Sequence, residues 1–214
     1  MNTFLVVLLA SVLCLWSGVV KAEVDTAIPL SKTGYAFHRG NVASLTTVEL
    51  YIDLTCSACR DSWPLLNKVY NTYKEKVHFF YRIFPLPYHQ QAFITAKAAQ
   101  VVSAYGSSSE SVFTFFDTCY AKQPQIYNSA TADMTYNEVV ALVGGWATTD
   151  TGVTVDEYNT GMNNSTNEMN ARYAWKYSSL QGIYATPFTA IDGLKAMGLD
   201  TFADWQAALD PLVA

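Results

Sequence analysis

The sequence predicts an α/β fold, in which helices flank a central β-sheet and an all-helical segment is inserted into it. Two strand-forming segments, residues 46–53 and 77–83, enclose a segment with helical periodicity. A long stretch of helical pattern, residues 89–182, follows without a strand signal. The strand pattern returns at residues 187–193, and an amphipathic helix at residues 201–213 ends the chain.

The N-terminus has the features of a secretory signal peptide. Residues 4–20 are almost entirely apolar, and residues 20–22 (Val-Lys-Ala) place small side chains where a signal peptidase recognises them. We therefore expect residues 1–22 to be removed and residues 23–214 to form one domain. The alternative is an uncleaved anchor, which usually needs about 20 apolar residues, more than this run provides. The mature protein would be secreted or lie in the secretory lumen (extracellular, or periplasmic in a bacterium), where disulfides persist.

Composition and charge restrict the classes of partner. The chain has 13 basic and 18 acidic residues and a net charge of −5. A mildly acidic chain without a basic run argues against nucleic acid or an anionic membrane as partner. No second apolar stretch approaches the first in length, so we expect no stable membrane association after signal cleavage.

Three of the four cysteines remain once the predicted signal peptide, which contains Cys14, is removed: Cys56, Cys59 and Cys119. The three-residue spacing of Cys56 and Cys59 fits a redox-active disulfide, half of a metal site, or a structural staple. A zinc site needs about four ligands, but the sequence has no second CxxC, and Cys119, His78 and His89 show no ligand spacing. A secreted disulfide scaffold would be shorter and richer in cysteine. We therefore favour the redox disulfide, with no metal and no cofactor, because the disulfide itself carries two electrons.

The pair is predicted at a strand-to-helix junction, in the first turn of a helix that Thr55 would cap. Cysteines at i and i+3 share one helix face, close enough for a disulfide. Cys56 would lie beside free N–H groups and the positive end of the helix dipole, so its pKa should fall below about 8.5. Because Ser57 and Ala58 bring no positive charge, we expect only a moderate decrease. Cys56 is therefore the predicted nucleophile, and the more buried Cys59 the predicted resolving cysteine.

Four motifs, in this order, resemble the DsbA-like branch of the thioredoxin superfamily over about residues 40–213. GNVASLTTVELYIDLTCSAC, residues 40–59, resembles the family's Gly-Asn turn, strand and CxxC. Pro64, five residues after the second cysteine, matches the proline of the active-site helix. FPLPYHQQAFITAKAA, residues 84–99, resembles the Pro-Leu-x-x-His segment. YATPFTAIDG, residues 184–193, resembles the Thr-Pro-strand-Gly element.

The resemblance implies a thioredoxin-like core at about residues 40–88 and 183–213, with the helical insert at about residues 89–182. It implies a thiol–disulfide oxidoreductase that acts on cysteine-containing proteins or peptides and exchanges electrons with an unidentified redox partner. It further implies a cis peptide bond between Thr186 and Pro187, packed against the cysteines, where unpaired backbone groups bind an extended substrate. A trans proline that starts an edge strand is the alternative.

The match departs from the family in two places. Thioredoxin and DsbA hold a buried acid six residues before the first cysteine, where this chain has Leu50. Glu49 and Asp53 are near, but strand alternation directs both to the opposite face from Leu50, so the proton acceptor for Cys59 stays unassigned. Asp53 is interpreted as a residue that caps or solvates the strand end, and His89 as a residue that caps or borders the helical insert. DsbA has Pro-His between its cysteines and this chain has Ser-Ala, so strong oxidising power does not carry over.

Several other features have simpler interpretations. Cys119, among aromatic residues on a predicted helix, is expected to be a buried inert thiol, with pairing to another chain as the alternative. Asn163 and Asn164 begin Asn-x-Ser/Thr sequons, which are glycosylation sites if the source is a eukaryote. A capping box starting at Ser165 explains the same stretch without a sugar. Another helix is predicted to begin with a capping box from Thr135 to Glu138 and to end at a glycine, residue 144.

Two rival functions stay open. One is a non-catalytic thioredoxin-fold binding or chaperone module, in which Cys56 and Cys59 form a static disulfide. The other is the glutathione-linked transferase or isomerase group, which resembles this chain in its helical insert but usually has serine in place of the first cysteine. The resemblance leaves oxidation, isomerisation and reduction of substrate disulfides equally open, because all three activities use the same motif.

Overall fold

The structure, a computed structural model, describes residues 26–214, so the predicted signal peptide at residues 1–22 lies outside the described part. Within this part, the chain forms five strands, seven α-helices and a short 3₁₀ helix. In chain order they are β1 (Phe37–Gly40), β2 (Thr47–Ile52), α1 (Ser57–Tyr73), β3 (His78–Ile83), α2 (Ala92–Tyr105), α3 (Ser111–Lys122), the 3₁₀ helix (Gln123–Ile126), α4 (Tyr136–Ala147), α5 (Val155–Met162), α6 (Ser165–Leu180), β4 (Phe188–Ile191), β5 (Leu194–Ala196) and α7 (Phe202–Val213). No helix between residues 26 and 214 combines the length and the hydrophobicity needed to cross a bilayer.

The five strands form one mixed sheet in the order β1-β3-β2-β4-β5. β2 and β3 are parallel and joined by α1, as a crossover connection requires. The other three pairings, β1 with β3, β4 with β2 and β5 with β4, are antiparallel. This confirms the predicted α/β class, and β1 is an edge strand that the sequence pattern does not predict.

Helix α1 buries one stripe of side chains at helical spacing, as its sequence predicts. The stripe consists of Cys59, Trp63, Leu66, Val69 and Tyr73. Pro64 lies inside the same helix. Because the stripe starts at Cys59, the second cysteine is part of the hydrophobic core, whereas the first precedes the helix.

Helices α2 to α6 lie between β3 and β4 in the sequence, where the long helical stretch is predicted. α2 contacts each of α3, α4, α5 and α6, so it is the centre of this helical group. It is buried on most of its surface, which explains why its alanine-rich sequence has little amphipathic character. Contacts between α6 and β3 hold the group against the sheet.

The helix ends agree in part with the predicted caps. Thr135 and Glu138 form the capping box at the start of α4. The box predicted from Ser165 is wrong, because Asn164 is the N-cap of α6 and accepts a hydrogen bond from the Thr166 N–H at 2.8 Å. α4 also continues past its predicted glycine end to Ala147.

Candidate active site

Cys56 and Cys59 lie where β2 leads into α1, as predicted. Cys56 is the N-cap residue of α1, with extended backbone angles, φ −79° and ψ 123°. Its side chain is 7 % exposed, and Cys59 is 0 % exposed. Both are free thiols, so the structure describes the dithiol form and the disulfide between them stays a prediction. The residue with access to solvent is thus the predicted nucleophile.

The two sulfurs have opposite electrostatic environments. A hydrogen bond from the Cys59 side chain is the main cause that lowers the pKa of Cys56 to about 5. Burial opposes this shift, while the Thr186 side chain and the N–H groups of Cys59 and Ala58 add to it. Burial, followed by the interaction with Cys56, raises the pKa of Cys59 well above its usual value. The shift of Cys56 is larger than Ser57 and Ala58 lead us to expect, because the neighbouring thiol supplies the stabilisation.

Thr186 and Pro187 lie beside the pair, although 130 residues separate Thr186 from Cys56 in the chain. The peptide bond between them is cis, as the resemblance implies. The Cys56 thiol donates a hydrogen bond of 3.4 Å to the Thr186 carbonyl oxygen. The loop before β4 therefore forms one wall around the first sulfur, and its role in substrate binding stays a prediction.

Asp53 is the buried acid of the site, at 0 % exposure. One carboxylate oxygen accepts hydrogen bonds from the N–H and hydroxyl of Thr55, at 2.8 and 2.6 Å. The other accepts from the Leu86 N–H at 2.9 Å and contacts His89 Nδ1 at 2.8 Å. The Asp53 N–H, in turn, donates to Cys59 Sγ at 3.4 Å. The Asp53 carboxylate thus connects the backbone just before Cys56 to the segment that follows β3.

This arrangement corrects two expectations. Thr55 does not cap α1, because Cys56 occupies the N-cap position without a side-chain cap and the Thr55 hydroxyl bonds to Asp53. Asp53 is not a solvated strand-end residue. β2 ends at Ile52, so the alternation that directs Asp53 away from Leu50 no longer applies one residue later.

His89 has a closer connection to the site than a border position implies. Its hydrogen bond to Asp53 is the main cause that raises the pKa of the imidazole, and the charges of Asp53 and Cys56 add to it, while burial opposes it. The protonated ring can therefore face two anionic groups, the Asp53 carboxylate and the Cys56 thiolate. The signal was present in the Pro-Leu-x-x-His motif, but only the fold brings that motif to the cysteines.

Gln123, at the start of the 3₁₀ helix, is another residue of the site without a local sequence signal. It is fully buried, at 0 % exposure. Its side-chain Nε2 donates to the carbonyl oxygens of Leu54 and Cys56, both at 3.0 Å. A contact between residues almost 70 positions apart in the chain cannot be found by periodicity.

A groove of about 460 Å³ runs along the face of α1 beside Pro187. Its lining includes apolar side chains from α1, the loop before β4, the edge of the sheet and α7: Leu65, Leu66, Tyr184, Phe188, Met197 and Trp205. Tyr184 and Met197 are 75 % and 76 % exposed at its edges. Asp61 and Asp200 also line it, and Asp61 is paired with Arg60 at 2.8 Å, so the lining is mixed in polarity.

The remaining candidates lie away from the pair. Cys119 is a free, fully buried thiol on α3, and burial raises its pKa well above the usual value. Asn163 and Asn164 are exposed at the start of α6, and their glycosylation stays a prediction. His78 lies on β3 and contacts His38 at 3.3 Å. Between residues 26 and 214, no three His, Cys, Asp or Glu side chains form a group able to hold a metal ion.

Comparison with solved structures places this arrangement among known folds. A proposed protein-disulfide isomerase from Pseudomonas syringae superposes with a TM-score of 0.71 at 17 % identity, covering 81 % of this chain and 97 % of that one. Oxidised BdbD from Bacillus subtilis gives 0.68 at 16 % identity, covering 84 % and 93 %. α-DsbA1 from Wolbachia pipientis gives 0.64 at 20 % identity, covering 87 % and 94 %. At these identities, the similarity shows the fold.

Membership of a protein family is shown by comparison of the sequence with family profiles. No curated protein matches the chain. The thioredoxin family profile, by contrast, matches residues 32–211, which is most of the chain. That match includes the strand and helix that carry the cysteine pair, the inserted helices and the loop with the cis peptide bond. The chain therefore belongs to the thioredoxin family, with the DsbA-like fold in which a group of helices is inserted into the thioredoxin core.

Proposed function

We propose that the protein is a thiol–disulfide oxidoreductase that exchanges disulfides with cysteine-containing proteins or peptides through Cys56 and Cys59. The observation that carries this proposal is the contrast between the two sulfurs. Cys56 lies at a helix start with a pKa of about 5, whereas Cys59 is fully buried with a raised pKa. A low-pKa thiolate beside a protected thiol is the arrangement that two-step disulfide exchange needs.

In the proposed reaction, the Cys56 thiolate attacks one sulfur of a substrate disulfide. A bond forms between Cys56 and that sulfur, the substrate S–S bond breaks, and the other substrate sulfur leaves as a thiolate. Cys59 then loses its proton and attacks the Cys56 sulfur, which releases the second substrate thiolate and closes the Cys56–Cys59 disulfide. Two electrons pass from the pair to the substrate, and the reverse sequence oxidises a substrate dithiol.

For the second step, we assign proton acceptance from Cys59 to the Asp53–His89 pair. The backbone N–H of Asp53 donates to Cys59 Sγ at 3.4 Å, which places this residue beside the sulfur, and its carboxylate is the group that would take the proton. His89 is bonded to the same carboxylate at 2.8 Å and is partly exposed, so it connects this buried acid with solvent. In this proposal, Asp53 and His89 take the role of the buried acid that thioredoxin and DsbA have at the position of Leu50.

For the direction of electron flow, we propose that the Cys56–Cys59 disulfide is transferred to substrate thiols, so that the protein acts as an oxidant. A low pKa of Cys56 stabilises the dithiol form at neutral pH, which makes the disulfide form more reactive. This supports oxidation or isomerisation of substrates over reduction. The predicted secretory location is compatible with this direction, because substrates there form and rearrange disulfides. A separate redox partner would reoxidise the pair.

For the substrate, we propose an extended polypeptide segment bound along the groove beside Pro187. The apolar lining contributed by Leu65, Tyr184 and Phe188 supports an apolar segment next to the reacting cysteine. Asp200, which also lines the groove, supports a preference for segments that carry a basic side chain.

Trapping a mixed disulfide tests the proposal. In Cys59→Ala, Cys56 can attack a disulfide-containing peptide but no residue resolves the product. We expect one peptide bound per protein molecule, released by dithiothreitol and measured by mass spectrometry. Cys119→Ala is the matched control and should form no lasting adduct, because Cys59 is present to resolve it. Absence of the adduct in Cys59→Ala, together with a Cys56–Cys59 bridge that resists reduction, would instead favour the static binding module.

A further inference from the structure

The side chain of Gln123 crosses from the inserted helices to the cysteine pair. Gln123 is fully buried, and its amide nitrogen has two N–H donors. That nitrogen lies 3.0 Å from the Leu54 carbonyl oxygen and 3.0 Å from that of Cys56. Both N–H groups therefore donate to the backbone turn that contains Cys56.

The two carbonyl groups occupy positions where regular structure gives limited support. Leu54 lies between the end of β2 and the start of α1, outside both elements. The Cys56 carbonyl accepts the first hydrogen bond of α1, from the Arg60 N–H at 3.1 Å, and has a second lone pair to satisfy. Unsatisfied buried carbonyls are destabilising, so the Gln123 amide fixes this turn in one conformation.

A second set of contacts extends from the same side chain back to α1. The Tyr127 hydroxyl donates to Gln123 Oε1 at 2.9 Å. The same hydroxyl accepts from Arg60 Nη1 at 2.8 Å. Arg60 directly follows Cys59 in the sequence. Gln123 and Tyr127 of the insert thus contact the start of α1 at two points: the backbone turn at Leu54 and Cys56, and the Arg60 side chain that follows Cys59.

We propose that Gln123 is a positioning residue for the redox pair, which fixes the Cys56 turn and, through Tyr127 and Arg60, connects it to the inserted helices. This inference rests on the proposed function of Cys56 and Cys59. Gln123 acts through the backbone and touches neither sulfur. By fixing this turn, Gln123 holds the Cys56 sulfur beside the N–H groups of Ala58 and Cys59, which lower the pKa of the thiol. The two Gln123 donors thus act on the sulfur only through the turn. Loss of these donors should weaken the nucleophile without removing it.

Replacement of the amide by a side chain of similar size tests this inference. In Gln123→Met, the rate of alkylation of Cys56 by iodoacetamide, followed across pH, should show a higher apparent pKa. At pH 6 the rate should fall roughly threefold to tenfold, the range expected for one or two lost hydrogen bonds. The equilibrium constant for reduction of the pair by glutathione should fall by a similar factor, because the dithiol form loses stabilisation. The titratable groups around Cys56, namely Cys59, Asp53 and His89, are unchanged in this variant.

Gln91→Met is the matched control, since Gln91 also donates from Nε2 within the insert, to Thr131 Oγ1 at 3.1 Å. It should leave both the pKa and the equilibrium constant at their wild-type values. Tyr127→Phe keeps the two donors of Gln123 but removes the link to Arg60, so it should shift both quantities in the same direction, by less.

An unchanged pKa in folded Gln123→Met, or an equal shift in Gln91→Met, would overturn the inference. If Gln123→Met does not fold, Tyr127→Phe decides between the same outcomes. Failure of the proposed function would be recognised separately, as a wild-type protein that does not exchange with glutathione disulfide. Alkylation of Cys56 requires no disulfide substrate, so it tests Gln123 in either case.

Discussion

The side chains around Cys56 differ in how far the sequence reveals them. Cys56, Cys59, Thr186 and Pro187 follow from spacing and short motifs, and the fold brings them together. Asp53 is visible as a residue but not as a buried acid, because its partners Leu86 and His89 lie 33 and 36 positions away. Gln123 has no sequence signal at all. Periodicity describes local structure, whereas these hydrogen bonds depend on how distant segments meet.

Asp53 should matter for stability as well as for proton transfer. In Asp53→Asn, an amide NH₂ replaces one of two oxygens that accept from buried donors, so at least one donor loses its partner. We expect the free energy of unfolding to fall by about 1–3 kcal/mol, measured by chemical denaturation of the reduced protein. Asp133→Asn, at an exposed position, is the control. An equal effect of both substitutions would contradict the structural role of Asp53.

His89 should make stability depend on pH in a specific direction. Its pKa in the folded protein is raised above the ordinary value of 6.5, mainly by Asp53. A raised pKa contributes stability that is complete below the unfolded-state value and is lost as pH rises through the folded-state value. In a Cys56→Ser background, which removes the titration of that sulfur, the unfolding free energy should therefore decrease as pH rises above about 6.5.

Adding His89→Gln to the same background supplies the comparison. The decrease of the unfolding free energy with rising pH should become smaller. The imidazole whose pKa differs between the folded and the unfolded state is absent from this variant. Denaturation curves at several pH values from 5 to 9 measure this. Identical pH dependence with and without His89 would show that the Asp53–His89 contact contributes nothing to the folded state.

At the scale of elements, helix α1 connects the active site with the inserted helices. The Trp63 indole lies on the buried stripe of α1 and donates from Nε1 to the Asp117 carboxylate of α3 at 2.6 Å. Its ring packs against Tyr81, Phe116 and Tyr120, with centroid separations of 5.1 to 6.0 Å. The Trp63 side chain thus contributes both apolar contacts and a hydrogen bond to the interface between α1 and α3.

Trp63→Phe should weaken the interface between α1 and α3. The smaller ring leaves unfilled space and removes a donor from Asp117, so we expect the unfolding free energy to fall by about 2–4 kcal/mol. Trp175→Phe is the control, because Trp175 is 41 % exposed and stacks on Phe84 with only one face. Its effect should be clearly smaller. A comparable loss in both variants, measured by chemical denaturation, would contradict the importance assigned to the buried contact.

Most elements follow from the sequence, and the exceptions have physical causes. The buried strands and amphipathic helices have clear periodicity, and β2, α1 and β3 occur where predicted. β1 is only four residues long, and its strand conformation comes from antiparallel pairing with β3. α4 continues past Gly144 because that glycine serves a close helix contact. A Cβ at this position would lie 2.7 Å from the Tyr158 ring, so the residue is small for packing and not as a helix end.

At the scale of the whole molecule, the cysteine pair lies where the thioredoxin core meets the inserted helices. The loop with Thr186 and Pro187 belongs to the core side, whereas Gln123 belongs to the insert and His89 to the segment leading into it. The insert is therefore part of the site as well as an addition to the fold. A sequence pattern identifies the insert, but its contact with the pair depends on the complete tertiary structure.

The reduction equilibrium of the Cys56–Cys59 couple tests the central claim most directly. The protein would be equilibrated in glutathione buffers of graded ratio, and the oxidised fraction measured after rapid alkylation. We predict a two-electron transition with a midpoint between about −120 and −180 mV, the range from disulfide donors to disulfide isomerases. A pair that stays fully oxidised down to below about −300 mV would behave as a static structural disulfide and contradict the proposed exchange activity.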